Sequence, residues 1–149
     1  MDNNNHGTAE KLNLLIDIAE DGKEGYENAA EAVKDTAVKS SFLLFAHERS
    51  VYSSQLREMV LQLNGEPQDN GGDSKGSLHR VWMDLKAIFT SGDTEAIVNA
   101  CITGEEAAVK EYKLVLNDSV FSESYKTIIK QQLNGIEQAL TSIRSLVHH

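Results

Sequence analysis

Two ionisable residues stand in the middle of helical stripes that are otherwise apolar or aromatic. Arg49 interrupts the run Val38, Phe42, Phe45, Arg49, Tyr52, Leu56, Met59, Leu63, and Glu105 is at the centre of Val98, Cys101, Glu105, Ala108, Tyr112, Val115. A carboxylate facing a helical core can bind a metal, move a proton or neutralise a cation. An ion buried without a partner costs several kcal/mol, so each of these residues requires one. Pairing Arg49 with Glu105 meets both requirements, and Gln132 together with Tyr26, Tyr52 and Tyr112 on inward faces can take the remaining hydrogen-bond sites. The expected role is a buried structural ion pair that fixes helix register. A guanidinium in the same layer repels a metal ion, which argues against Glu105 as a metal ligand or catalytic carboxylate.

The metal alternative can be tested on the spacing. A di-iron bundle takes a Glu from each of two helices and a Glu-x-x-His from each of the other two. Neither Glu-x-x-His nor Asp-x-x-His occurs in the chain, and Glu137 is followed three places later by Leu140. His47 projects nearly opposite its stripe, while the terminal His148-His149 can be native or the remnant of an affinity tag. The rival ligand set is Glu105 with Glu27 or Glu48. Glu27 is the member of the acidic face Glu20, Glu24, Glu27, Glu31 nearest the core edge, which also makes it a candidate second partner for Arg49; Glu48 borders the Arg49 stripe. Cys101 lies on an apolar stripe and reads as an inert buried thiol. Gly71-Gly72 sits in a polar linker with no strand before it, so it is no phosphate loop. No cofactor and no catalytic residue are expected.

A second group of unusual residues is His79-Arg80-Val81-Trp82-Met83-Asp84-Leu85-Lys86. Arg80 and Asp84 are spaced as an i,i+4 pair, and Trp82 with Leu85 can dock a short helix on a larger body. This structural reading is preferred to a binding edge built on His79 and Arg80.

The elements that position these groups are helical. Leu12, Leu15, Ala19, Gly22, Tyr26, Ala29 and Val33 form the first stripe, with Thr8 as expected cap. The second helix stops at Asn64-Gly65 with Pro67 beyond; the third long helix follows Asp93, and the fourth begins near Ser122 and continues to Val147. Between the second and third lies a polar connection over 68–76, then a short amphipathic helix with the face Leu78, Val81, Trp82, Leu85, Ile88, Phe89. Two short turns and one long connection predict that the second and third long helices run parallel, which places Arg49 and Glu105 at one level.

The 149 residues suit a single domain spanning 1–149, and 40% apolar with 25% charged residues is a globular composition. A net charge of −9 without a basic cluster disfavours nucleic acid and anionic membranes as partners. The polar opening Met1 to Gly7, the absence of a long apolar run and the single Cys101 predict a cytoplasmic protein whose partner is another protein or a second copy of itself.

Several segments together resemble a known family: Leu12 to Leu15, Asp21-Gly22 with Tyr26, Ala29 and Ala30, Leu63-Asn64-Gly65-Glu66-Pro67, His79 to Lys86, and Gly104-Glu105 followed by Tyr112. On these the chain resembles, over nearly its whole length, the bacterial ferritin-like four-helix-bundle proteins of unassigned function grouped as domain of unknown function 2383. The resemblance implies an all-α, ferritin-like four-helix bundle with a long crossover containing a short helix, and no established activity. Leu140 departs from the family, other members of which often carry a His there.

Overall fold

A computed structural model describes residues 3–67, 77–117 and 121–146. The Gly-rich connection with Gly71-Gly72, and the terminal Val147 and His148-His149, lie outside the described residues. Five helices run in order: α1 Asn3–Ala32, α2 Thr36–Gln62, α3 Ser77–Phe89, α4 Thr94–Asn117 and α5 Glu123–Leu146. No strand occurs among the described residues.

The helix ends follow local chemistry. Asp35, in extended conformation, accepts the Ala37 and Val38 amides on one carboxylate oxygen at 2.9 and 3.0 Å and so caps α2. At the other end Asn64 takes the left-handed conformation (φ 62°), with its N–H donating to Leu61 and the Gly65 N–H to Val60. That is a Schellman closure in which Asn rather than Gly holds the strained position. Ser122 caps α5 by accepting the Tyr125 amide at 3.2 Å. The expected cap of α1 is corrected: the helix begins at Asn3, and Thr8 lies buried inside it. Thr8 stands four and seven residues before Leu12 and Leu15, so it continues their core-facing stripe rather than ending it.

Side-chain pairings give the helix directions. Arg57 meets Glu20 while Phe45 meets Tyr26, which makes α1 and α2 antiparallel. Tyr125 reaches Met59 and Gln62, and Gln132 reaches Tyr52 and Gln55, so α5 is antiparallel to α2. Tyr112 with Gln132 and Glu106 with Arg144 make α5 antiparallel to α4 as well. The helices α2 and α4 are therefore parallel. Contacts run α1 to α2, α2 to α5, α5 to α4 and α4 to α1, leaving α2 and α4 on a diagonal of the bundle.

The short α3 lies outside, against α1 and α4, with His79 beside Asp21 and Trp82 beside Gly25. Its buried face is Leu78, Trp82, Leu85 and Phe89, with Val81 half-buried. Ile88 is 40% exposed and does not belong to that face. A helix lying over a single groove buries one narrow stripe, and position 88 falls outside the 78, 82, 85, 89 spacing.

Candidate functional site

Arg49 crosses the core diagonal from α2 and forms an ion pair through Nη2 with Oε1 of Glu105 on α4; the two side chains are 2% and 0% exposed. The Tyr26 hydroxyl, from α1, donates to the other oxygen of Glu105 at 2.5 Å. The Arg49 guanidinium lies 5.6 Å from the centroid of the Tyr26 ring, within cation–π range. Its Nη1 has no hydrogen-bond partner and points at Gly22, where a Cβ would collide with it. Gly22 thus makes room on α1 for a guanidinium arriving from another helix.

Arg49, Tyr26 and Cys101 all hold their protons more tightly here than in water. Burial alone would lower the Arg49 pKa, but the adjacent Glu105, with Tyr26, turns the net shift upward. Burial, reinforced by Glu105, pushes the Tyr26 hydroxyl well above the ordinary tyrosine range. Cys101 is raised by burial and then by Glu105, which leaves an inert thiol beside the pair.

Gln132 does not join the ion pair; it builds a separate polar tier between α2, α4 and α5. Its Oε1 accepts from the Tyr112 hydroxyl at 2.8 Å, and its amide donates to Gln55 Oε1 at 2.9 Å and the Tyr52 carbonyl at 3.4 Å. Burial raises the Tyr112 hydroxyl, with Arg49 partly offsetting it. Tyr52 is half-buried, its hydroxyl held so close to Gly135 that a Cβ there would collide. Tyr125 is also half-buried and donates to Gln62 Oε1 at 2.7 Å and to the Met59 carbonyl at 3.3 Å.

On the other side of the ion pair, the Trp82 indole is 5% exposed and fills a slot between Gly25 of α1 and Gly104 of α4; a Cβ on either glycine would collide with the ring. Its edge meets Tyr26 at 5.7 Å between centroids and 61° between planes, and Nε1 has no partner. His79 Nδ1 lies 3.1 Å from Asp21 Oδ1, where burial raises the Asp21 carboxyl and His79 partly offsets the shift. Arg80 and Asp84 are exposed. Asp21, Gln55 and Gly25 have roles that spacing did not reveal.

The family described as a domain of unknown function, DUF2383, matches residues 7–118. The chain belongs to that family. The match takes in α1 to α4, and with them Tyr26, Arg49, Trp82 and Glu105, but it stops before α5 and Gln132, short of the near-complete resemblance expected. No curated protein matches this chain.

In this DUF2383 bundle no group of three or more His, Cys, Asp or Glu gathers to hold a metal among the described residues. Glu27 lies on the surface beside Lys23 at 3.9 Å, 49% exposed, and faces solvent rather than the buried pair. Adjacent helical residues point about 100° apart, so Tyr26 facing inward turns Glu27 outward. Glu48 is half-buried, with its pKa raised by burial and partly offset by Arg49. His47 is exposed. An open groove of about 580 Å³ between α4 and α5 is lined by Lys113, Leu116, Asn117, Lys126, Lys130 and Leu133, none of them in the polar layer.

Proposed function

We propose that this DUF2383 protein is a ferritin-like four-helix bundle, cytoplasmic and non-enzymatic, that works through its outer surfaces. A structural ion pair takes the place of a di-iron site. The observation that carries this reading is the state of Glu105: one oxygen is paired with Arg49, the other accepts from Tyr26, and a fixed cation occupies the bundle centre. A metal ion would have to displace both partners and sit against the guanidinium. The charge of −9 disfavours nucleic acid and anionic membranes as partners, and no helix among the described residues is long and apolar enough to cross a membrane; the proposed partner is a protein surface. The test is aerobic iron loading of untagged protein followed by elemental analysis. The expected result is no stoichiometric metal; two tightly held irons per chain would overturn the proposal and return Glu105 with Glu48 as ligands.

A further inference from the structure

We propose that two copies of this chain associate through the outer face of α2, packed antiparallel about a two-fold axis that passes between Val51 and Ser54. Leu43, Leu44, Val51 and Leu61 are 50%, 54%, 41% and 55% exposed, half of the eight large apolar side chains left in solvent among the described residues. Three of them fall on one line with other exposed residues: Leu44, His47, Val51, Ser54, Glu58, Leu61. Those steps alternate three and four, the spacing of a helix-pairing seam, and the line runs along the side of α2 that neither α1 nor α5 covers. Arg57 and Gln62, which do contact those neighbours, lie on its flanks.

The choice of a second copy rests on the seam being complementary to its own reverse. Turned end for end about its midpoint, the line maps onto itself: Leu44 meets Leu61, His47 meets Glu58 and Val51 meets Ser54, each twice across the two-fold. His47 and Glu58 are the only ionisable residues on the line, and this register sets an imidazole N–H donor opposite a carboxylate acceptor at both places. A parallel pairing would instead oppose Glu58 to Glu58. Elsewhere the surface carries the chain's negative charge, as on α1 with exposed Glu24, Glu27 and Glu31, so this low-charge face is where two copies meet without repulsion. The seam is about 26 Å long at the helical rise, at the small end of interface sizes, so association in the micromolar range is expected.

This inference deepens the reading of a bundle that acts through its surfaces, and the two fail separately, because metal content and association are measured independently. Sedimentation equilibrium on the untagged full chain, from low to several hundred micromolar, should show a monomer–dimer equilibrium. Leu44→Asp and His47→Glu should each weaken it at least tenfold, and His47→Glu combined with Glu58→Lys should recover most of the loss by reversing the pair. Circular dichroism should find all variants equally helical, since every position changed is exposed. A wild-type chain that stays monomeric throughout, a dimer indifferent to Leu44→Asp, or a charge reversal that fails to recover association would each overturn the proposal.

Discussion

Glu105 accepts from one charged and one neutral donor while fully buried, so its partners can be removed one at a time and compared. Arg49→Met leaves the carboxylate paired only with a hydroxyl and should destabilise the fold by about 3–5 kcal/mol. Adding Glu105→Leu should recover much of that, because a buried ion pair is worth little against a well-packed apolar core. Urea denaturation of the four proteins in this cycle measures the coupling, and purely additive losses would show that the pair is not the interaction being broken. Tyr26→Phe keeps the ring under the guanidinium but removes one hydrogen bond to a charged acceptor, for an expected loss of about 1.5–3 kcal/mol. The stripes already place Arg49 and Glu105 on core faces, since each is flanked at three and four residues by apolar or aromatic side chains. The third member, Tyr26, is legible on the stripe of α1 as well. Tyr26 and Glu27 are neighbours of which only one can face inward, and the tyrosine does so because it buries a ring as well as a hydroxyl. Gln132 is buried as its stripe predicts, but it bonds Tyr112 rather than the ion pair, because its level depends on where α5 starts relative to α4, which no spacing within one helix reveals.

At the level of elements, α3 is fastened by one aromatic residue set between two glycines. Trp82→Ala should cost about 3–5 kcal/mol, as truncation of a large buried aromatic does. The native indole emission should be blue-shifted and protected from quenchers, whereas emission typical of water-exposed tryptophan would mean that α3 is not docked. The glycines offer a test of sign. In a helix interior Gly→Ala ordinarily stabilises by about 0.5–1 kcal/mol, yet at Gly25 or Gly104 the new methyl would enter the indole ring. Gly104→Ala should therefore destabilise and shift Trp82 emission to the red while helicity is retained; a more stable protein with unchanged emission would refute the slot. Apolar period and turn residues were enough to read the helices and the parallel run of α2 and α4. Ile88 was not legible, because an amphipathic segment shows its apolar face but not how much of that face a neighbour covers. Gly25 was equally silent, since a mid-helix glycine reads as a weak point until the ring above it is known.

For the whole molecule, the buried groups that must stay protonated link stability to alkaline pH. Burial raises Tyr26 and Tyr112 above the tyrosine value of 10.0 and Cys101 above the thiol value of 9.0, so the folded state holds these protons more tightly than the unfolded chain. A group whose folded pKa is raised contributes stability that is fully present below its unfolded pKa and is lost as pH rises above it. The decline should begin near pH 9 with the thiol and steepen above pH 10 as both tyrosines join, each group adding up to about 1.4 kcal/mol per pH unit. General self-repulsion of a chain already at −9 acts in the same direction, so the wild-type curve alone cannot assign the cause. Comparison with Tyr112→Phe can. That variant loses the hydrogen bond to Gln132 at every pH below ionisation, a constant offset, but it also loses one linked proton, a change of slope. Urea unfolding at pH 8, 9, 10 and 11 should give wild-type and variant stabilities that are separated at neutral pH and converge above pH 10. Curves that stay parallel to pH 11 would mean that Tyr112 does not hold its proton through burial, and the polar tier between α2, α4 and α5 would have to be open to solvent.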